Sequence, residues 1–157
     1  MAVTINKYNK FLLTQMNGGN DTTGSSTAGA ARVVDFDTDT IKLALCTSTY
    51  TPSATTHAAF NSVTNEVSGT NYTSGGMTLT SPTVADSSGT ITFDAADYTF
   101  SQSASGFANA RYGVIYKSTG TAATSTLICY IDFGADKGNV DGDFTVSFNA
   151  SGIATWA

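Results

Sequence analysis

The chain has 157 residues, a formal net charge of −5 at pH 7, and charged side chains at only 12% of its positions. That length fits one domain that can bury a core without a metal or a disulfide. Its seven Lys and Arg residues are scattered, whereas binding a phosphate backbone needs clustered positive charge. The composition therefore argues against direct binding of nucleic acid.

The sequence also lacks the signals of membrane targeting. No run approaches the ~18 apolar residues of a membrane-spanning helix. The beginning of the chain lacks the apolar region of a signal peptide. We therefore expect no membrane partner.

The first predicted element is a helix over residues 4–16, which Thr4 would cap and Gly18 and Gly19 would end. Apolar residues recur there at spacings of three and four, and the stripe consists of Ile5, Tyr8, Phe11, Leu12 and Met16. A helix this short is marginal in water by itself, so the stripe must be covered. Two alternatives remain for what buries the stripe: the sheet of the same chain, or a neighbouring subunit.

Residues 17–32 are rich in Gly, Ser and Thr, a composition typical of a flexible linker. The sequence therefore predicts an N-terminal helix or arm with its linker at residues 1–32. A β-sandwich domain would follow at residues 33–157.

The rest of the chain shows short β-branched and aromatic runs separated by turn residues. The predicted strands are 40–47, 62–68, 76–80, 89–94, 97–101, 110–117, 125–133, 143–149 and 152–156. Several short strands with frequent turns favour an all-β fold, an antiparallel sandwich resembling a jelly roll. The strand aromatics are interpreted as core or interface residues before any role in stacking a ligand.

Cys46 and Cys129 both lie inside apolar runs, which favours two buried free thiols. A disulfide remains the alternative if their strands are neighbours.

Two acidic groups are candidates for binding a cation. Asp35, Asp37 and Asp39 alternate, so an extended strand would place their carboxylates on one face, where calcium could find oxygen ligands. The calcium loop of a helix–loop–helix motif fails here, because its glycine and glutamate positions hold Thr40 and Cys46. The second group is Asp132, Asp136, Asp141 and Asp143. Turn formation is the favoured role of both groups, so no metal is predicted.

Catalytic motifs are weak. His57 is the single histidine and lies in a polar loop, with no nucleophile elbow in the sequence. Glu66 is the single glutamate, and a glycosidase would have to pair it with Asp94 or Asp97, although nothing marks such a pair. The sequence therefore predicts no catalytic residue and no cofactor.

Several segments of the chain resemble a group of small virion structural proteins from tailed bacteriophages. The segments are DTDTIKLAL (37–45), TYTP (49–52), VTNEVSGTNYTSGG (63–76), RYGVIYK (111–117), LICYIDFG (127–134) and the leader KYNKFL (7–12). This resemblance covers most of the chain after residue 35. Its motifs are structural, and the family carries no catalytic residues to transfer.

The resemblance implies a head decoration (cement) protein that lies on the outer capsid surface of the virion. Its partners would be the major capsid protein and further copies of itself, as a homotrimer. Four residues of the predicted helix are the expected partner interface: Tyr8, Phe11, Leu12 and Met16. Two alternatives remain open: a tail or fibre protein that recognises the host, and a polysaccharide-acting enzyme that uses Glu66.

Overall fold

The computed structural model describes residues 4–16 and 33–157, and these form ten strands, one α-helix and one short 3-10 helix. The strands are β1 (Thr4–Lys7), β2 (Ile41–Cys46), β3 (Met77–Thr78), β4 (Thr83–Ser87), β5 (Thr90–Asp94), β6 (Tyr98–Phe100), β7 (Ala110–Lys117), β8 (Leu127–Lys137), β9 (Phe144–Val146) and β10 (Ala154–Trp156). The α-helix is α1 (Asn9–Met16), and the 3-10 helix is Phe60–Ser62. The predicted all-β class is confirmed.

The strands form three antiparallel sheets. The largest has five strands in the order β1-β8-β7-β2-β3. The second has three strands in the order β10-β5-β4, and the third pairs β6 with β9. No helix in the described part of the chain is long and apolar enough to cross a membrane.

Both faces of the five-stranded sheet are covered. On one face, the Tyr112 ring meets Tyr50 edge-on and the Tyr116 ring stacks on Phe60, with centroids 6.1 and 4.1 Å apart. On the other face, Ile131 lies in a cleft shared with β9. Because β2 and most of β7 are buried on both faces, they consist of nearly continuous apolar runs instead of an alternation of apolar and polar residues.

The first strand corrects a prediction. Residues Thr4–Lys7 pair antiparallel with β8 and are not helical, so Thr4 does not cap a helix. The helical prediction is confirmed for Asn9–Met16 and was wrong for Thr4–Lys7, because tertiary pairing with the edge of β8 outweighs the local apolar spacing there. Residues 4–16 are therefore joined to the β body, while the predicted linker at residues 17–32 lies outside the described residues.

Two further predictions were wrong. Residues 62–68 form no strand, and only one bridge, from Glu66 to Cys46, joins them to the sheet. Asn65, within this segment, has a φ of 56°, which differs from the negative φ of a β-strand. In contrast, Thr83–Ser87 is a strand that the sequence did not predict, because every residue in it is exposed.

Strand β8 continues to Lys137, four residues beyond its predicted end. It passes through a bulge at Gly134, which has a φ of 74° and whose N–H donates to Asp132 Oδ1 at 2.7 Å. The pairing with β7 shifts register at this point. A glycine that normally signals a turn here permits a β-bulge inside a strand.

One buried amide joins three loops at one end of the molecule. Asn139 is 0% exposed. Its Oδ1 accepts the Phe107 N–H at 2.9 Å, and its Nδ2 donates to the carbonyl oxygens of Ser101 and Thr70 at 2.8 and 3.2 Å. A Cβ on Gly106 would lie 2.0 Å from Oδ1, so this junction admits no larger residue without movement.

We predict that Asn139→Ala lowers the free energy of unfolding by about 3 kcal/mol, because it leaves buried backbone groups without partners. Urea unfolding followed by circular dichroism measures the change. The control is Asn61→Ala at an exposed position, which should change stability by less than about 0.5 kcal/mol. Equal stability of the two variants would contradict a stabilising role of the Asn139 hydrogen bonds.

Candidate interaction surface

The three-stranded sheet has one apolar face and one polar face. Val84 lies opposite Phe93 across β4 and β5, and Ile91 lies opposite Trp156 across β5 and β10. Directly opposite residues share a face, so these four side chains lie on the same side. The other face carries Thr83, Ala85, Thr90, Thr92 and Thr155.

The apolar face is covered only at its inner part. Phe93 is fully buried, and the centroid of its ring lies 4.4 Å from the ring centroid of Phe36. Trp156 lies 5.4 Å from the ring of Phe11 on α1. At the outer part, Val84 is 43% exposed and Ile91 39% exposed.

Helix α1 also carries exposed apolar residues. Phe11 anchors the helix on Phe36 and Trp156, and Gln15 Oε1 accepts the Val34 N–H at 2.7 Å. Leu12 and Met16, one helical turn apart, are exposed.

We call the set Leu12, Met16, Val33, Val84 and Ile91 the apolar surface. These are all the exposed large hydrophobic residues within ranges 4–16 and 33–157. Single exposed apolar side chains are normal on a soluble protein. These residues lie on α1, on the segment around Val33 and on the three-stranded sheet, elements that ring contacts of Phe11 and Phe36 join to one another, and we treat them together as a candidate interaction surface.

The structure divides the four residues predicted as an interface. Tyr8 and Phe11 are 1% and 5% exposed and belong to the core of their own chain. Leu12 and Met16 lie on the surface, and their contact with a partner stays a prediction.

Sequence reasoning missed Val84 and Ile91. The available signal was the pair Ser88 and Gly89, which turns between two short alternating runs with φ values of 52° and 84°. Positive φ at both central residues is the signature of a tight hairpin turn.

A groove runs along the border of the apolar surface. Its volume is about 300 Å³, and its lining is Val34, Asp35, Phe36, Asp37 and Val84. Lys117 holds the segment that forms one wall, since its Nζ donates to the Val33 carbonyl oxygen and lies 2.8 Å from Asp39 Oδ2. Apolar groups thus line the groove together with two carboxylates.

Asp35, Asp37 and Asp39 lie in a turn and not in the extended strand that would place their carboxylates on one face. The Asp35 N–H donates to Asp39 Oδ2 at 2.7 Å, and the Asp37 N–H donates to Asp35 Oδ1 at 3.0 Å. The turn-forming role is therefore observed for Asp35 and Asp39.

In the second acidic group, Asp132 and Asp143 bind different partners. Asp132 forms a bidentate pair with Arg111, at 2.7 and 3.1 Å, and this hydrogen bonding lowers the pKa of Asp132. Asp143 Oδ1 accepts the Gln102 N–H. Across residues 4–16 and 33–157, no group of three or more His, Cys, Asp or Glu side chains is placed to hold a metal.

Glu66 joins strand β2 to the 72–75 loop. Its Oε1 accepts the Tyr72 hydroxyl and the Gly75 N–H at 2.5 and 2.8 Å, and its Oε2 accepts the Ser74 hydroxyl at 3.3 Å. Asp94 and Asp97 accept backbone N–H groups elsewhere, from Ala95 and Phe148. The structure therefore gives Glu66 a bonding role in its own loop and does not join it to either aspartate.

His57 belongs to a hydrogen-bonded chain of aromatic residues. Tyr8 and Tyr50 share a hydroxyl contact at 3.0 Å, and the Tyr50 hydroxyl lies 3.2 Å from His57 Nδ1. The Ser53 N–H also donates to Nδ1 at 3.4 Å, which favours the neutral imidazole as acceptor. Partial burial lowers the pKa of His57. This chain fastens the β1–α1 junction to the loop at residues 50–57.

The two thiols are free and buried, as predicted. Cys46 lies opposite Tyr112 and Cys129 lies opposite Ile115, so β7 separates them and they point to opposite faces. Strands two apart are about 10 Å from each other, beyond the reach of a disulfide. Burial raises the pKa of both thiols to about 12.

Comparison with known proteins adds no relative: no family model, curated protein or solved structure matches this chain.

We predict that Glu66→Ala lowers the free energy of unfolding by about 1–3 kcal/mol, because Tyr72 and Gly75 lose a charged acceptor. Glu66→Gln keeps one acceptor oxygen and should recover part of the loss. Denaturant unfolding measures both, with Asp141→Ala at an exposed position as control. A loss for Asp141→Ala as large as that for Glu66→Ala would count against the bonding role.

We also predict that stability falls as the pH is lowered from about 7.5 to about 5. The unfolded chain takes up a proton on His57 near its ordinary pKa of about 6.5, whereas the folded chain resists it. The contribution is thus full above about 6.5 and is lost as the pH falls toward the folded pKa. Urea unfolding at several pH values should show a flatter profile for His57→Asn, and identical slopes would refute the assignment.

Proposed function

We propose that this protein is a bacteriophage head decoration (cement) protein. It binds the outer surface of an assembled shell and stabilises the shell by bridging major capsid subunits. The single observation that carries the proposal is the apolar surface on α1 and the three-stranded sheet. The resemblance of several segments to small virion structural proteins supplies the biological setting.

The apolar surface supports adhesion because it leaves apolar side-chain area in contact with water. Phe11, Phe93 and Trp156 already join α1 and the small sheet to the rest of the molecule. Val84, Ile91, Leu12 and Met16 keep apolar area exposed to water, which costs free energy. Covering them with a partner recovers this energy.

The mechanism we propose is mechanical. A homotrimer presents three copies of the apolar surface, and simultaneous binding to several capsid subunits raises avidity without new contact types. Each bridge adds buried interface that must break before the shell ruptures. A jelly-roll-like arrangement of the three sheets is part of the same proposal.

A second candidate is a tail or fibre protein that recognises a host glycan. The observation that favours it is a shallow groove of about 250 Å³ at the β6 edge. Its lining combines aromatic rings with amide and hydroxyl groups, and includes Asn71, Tyr72, Tyr98, Thr99 and Ser101. Such a combination suits stacking against a sugar.

The experiment is co-sedimentation of the purified chain with assembled empty shells of the cognate phage. We expect wild-type protein to bind, and Val84→Ser with Ile91→Ser to weaken binding at least about ten-fold, since two apolar contacts are lost. The matched control is Ala85→Ser with Thr92→Ser, on the polar face of the same hairpin. Thermal unfolding verifies that each variant folds.

Three outcomes contradict the proposal. Wild-type protein fails to bind shells, or the apolar-face and polar-face variants bind equally well, or decorated and bare shells rupture at the same temperature. Binding of the wild-type chain to a host glycan, with no binding to shells, would establish the second candidate.

A further inference from the structure

The groove beside the apolar surface combines an apolar lining with two carboxylates. Val34, Phe36 and Val84 supply the apolar lining, and Asp35 and Asp37 lie beside them. Asp35 Oδ1 already accepts a hydrogen bond within the turn. In the described ranges the Asp37 carboxylate has no ion-pair partner, since the pairs there are Arg111 with Asp132 and Lys117 with Asp39.

A further carboxylate lies on the same face of the hairpin. Asp86 is directly opposite Ile91 and two residues from Val84, so its side chain lies among the exposed apolar groups. It is exposed, as is Asp37. The apolar surface thus carries negative charge at the groove and at the hairpin.

We propose that this surface receives a Lys or Arg side chain of the shell subunit, a proposal that rests on the decoration function above. The aliphatic stem of such a residue would lie against Phe36 and Val84 while its cation meets Asp37. Neighbouring cations of the same partner segment would face Asp86. The partner is therefore an apolar segment flanked by basic residues.

A second copy of this chain is a poorer occupant. The chain has 12 acidic and 7 basic residues, and Arg111 and Lys117 are engaged by Asp132 and Asp39. Lys7 donates to the Thr155 carbonyl oxygen and lies over the Trp156 ring. Two copies joined by this surface about a twofold axis would also bring Asp37 and Asp86 toward their own equivalents, which is repulsive.

The test uses the full chain and assembled empty shells. Asp37→Asn with Asp86→Asn removes two charges with almost no change of shape. We expect affinity for shells to fall by about five-fold or more, and the decrease of affinity with added NaCl to become shallower. The matched control is Asp136→Asn with Asp141→Asn, which removes the same charge from exposed positions outside this surface.

The outcomes separate the inference from the function on which it rests. If wild-type protein binds and both double variants bind equally well, the basic partner is wrong while the decoration function stands. If wild-type protein does not bind at all, both fail. If Asp37→Lys with Asp86→Lys instead changes the oligomeric state in analytical ultracentrifugation, a second copy is the occupant and the inference is overturned.

Discussion

Burial of the central strands of the five-stranded sheet on both faces is the constraint on which the rest of the structure depends. Its central strands β2 and β7 are almost entirely apolar, so each face needs a cover that excludes water. One face receives Tyr50 and Phe60 from the loop after β2. The other face meets β9, and Phe36 joins the core to Phe93 of the three-stranded sheet. The two-stranded sheet therefore helps to bury the larger sheet, and the three-stranded sheet packs against the same core through Phe93.

This role explains where apolar groups remain exposed. The three-stranded sheet reaches beyond the core that it covers, and its apolar face continues outward from Phe93 to Val84 and Ile91. Helix α1 likewise uses Phe11 to pack inward and leaves Leu12 and Met16 outside. The covering elements thus have a second apolar patch, and adhesion to another protein is the use that we propose for it.

The polar groups that reasoning from sequence offered as chemistry are mostly engaged in joining loops. Glu66 binds the 72–75 loop, Asn139 joins three loops, and His57 ends a chain of hydroxyl contacts. Hydroxyl-rich loops need such anchors because a buried backbone group without a partner is costly. In the sequence, these residue types are the same as those of catalytic groups. Only their hydrogen-bond partners in the structure distinguish a residue that joins loops from one that could act in catalysis.

The sequence by itself determined the β class, the position of β7 and the burial of both cysteines, because continuous β-branched and apolar runs have few other solutions. Tertiary structure decided the rest. Thr4–Lys7 became a strand because the edge of β8 offered a ladder, and Gly134 became a bulge because β8 continued past it. The exposed strand β4 carries only one large apolar residue, Val84, so its apolar pattern is weak, yet with β5 it forms part of the candidate surface. Local apolar patterns in the sequence predict which residues are buried. Which strands pair, and which sheet face stays exposed, depends on residues that are distant in the chain.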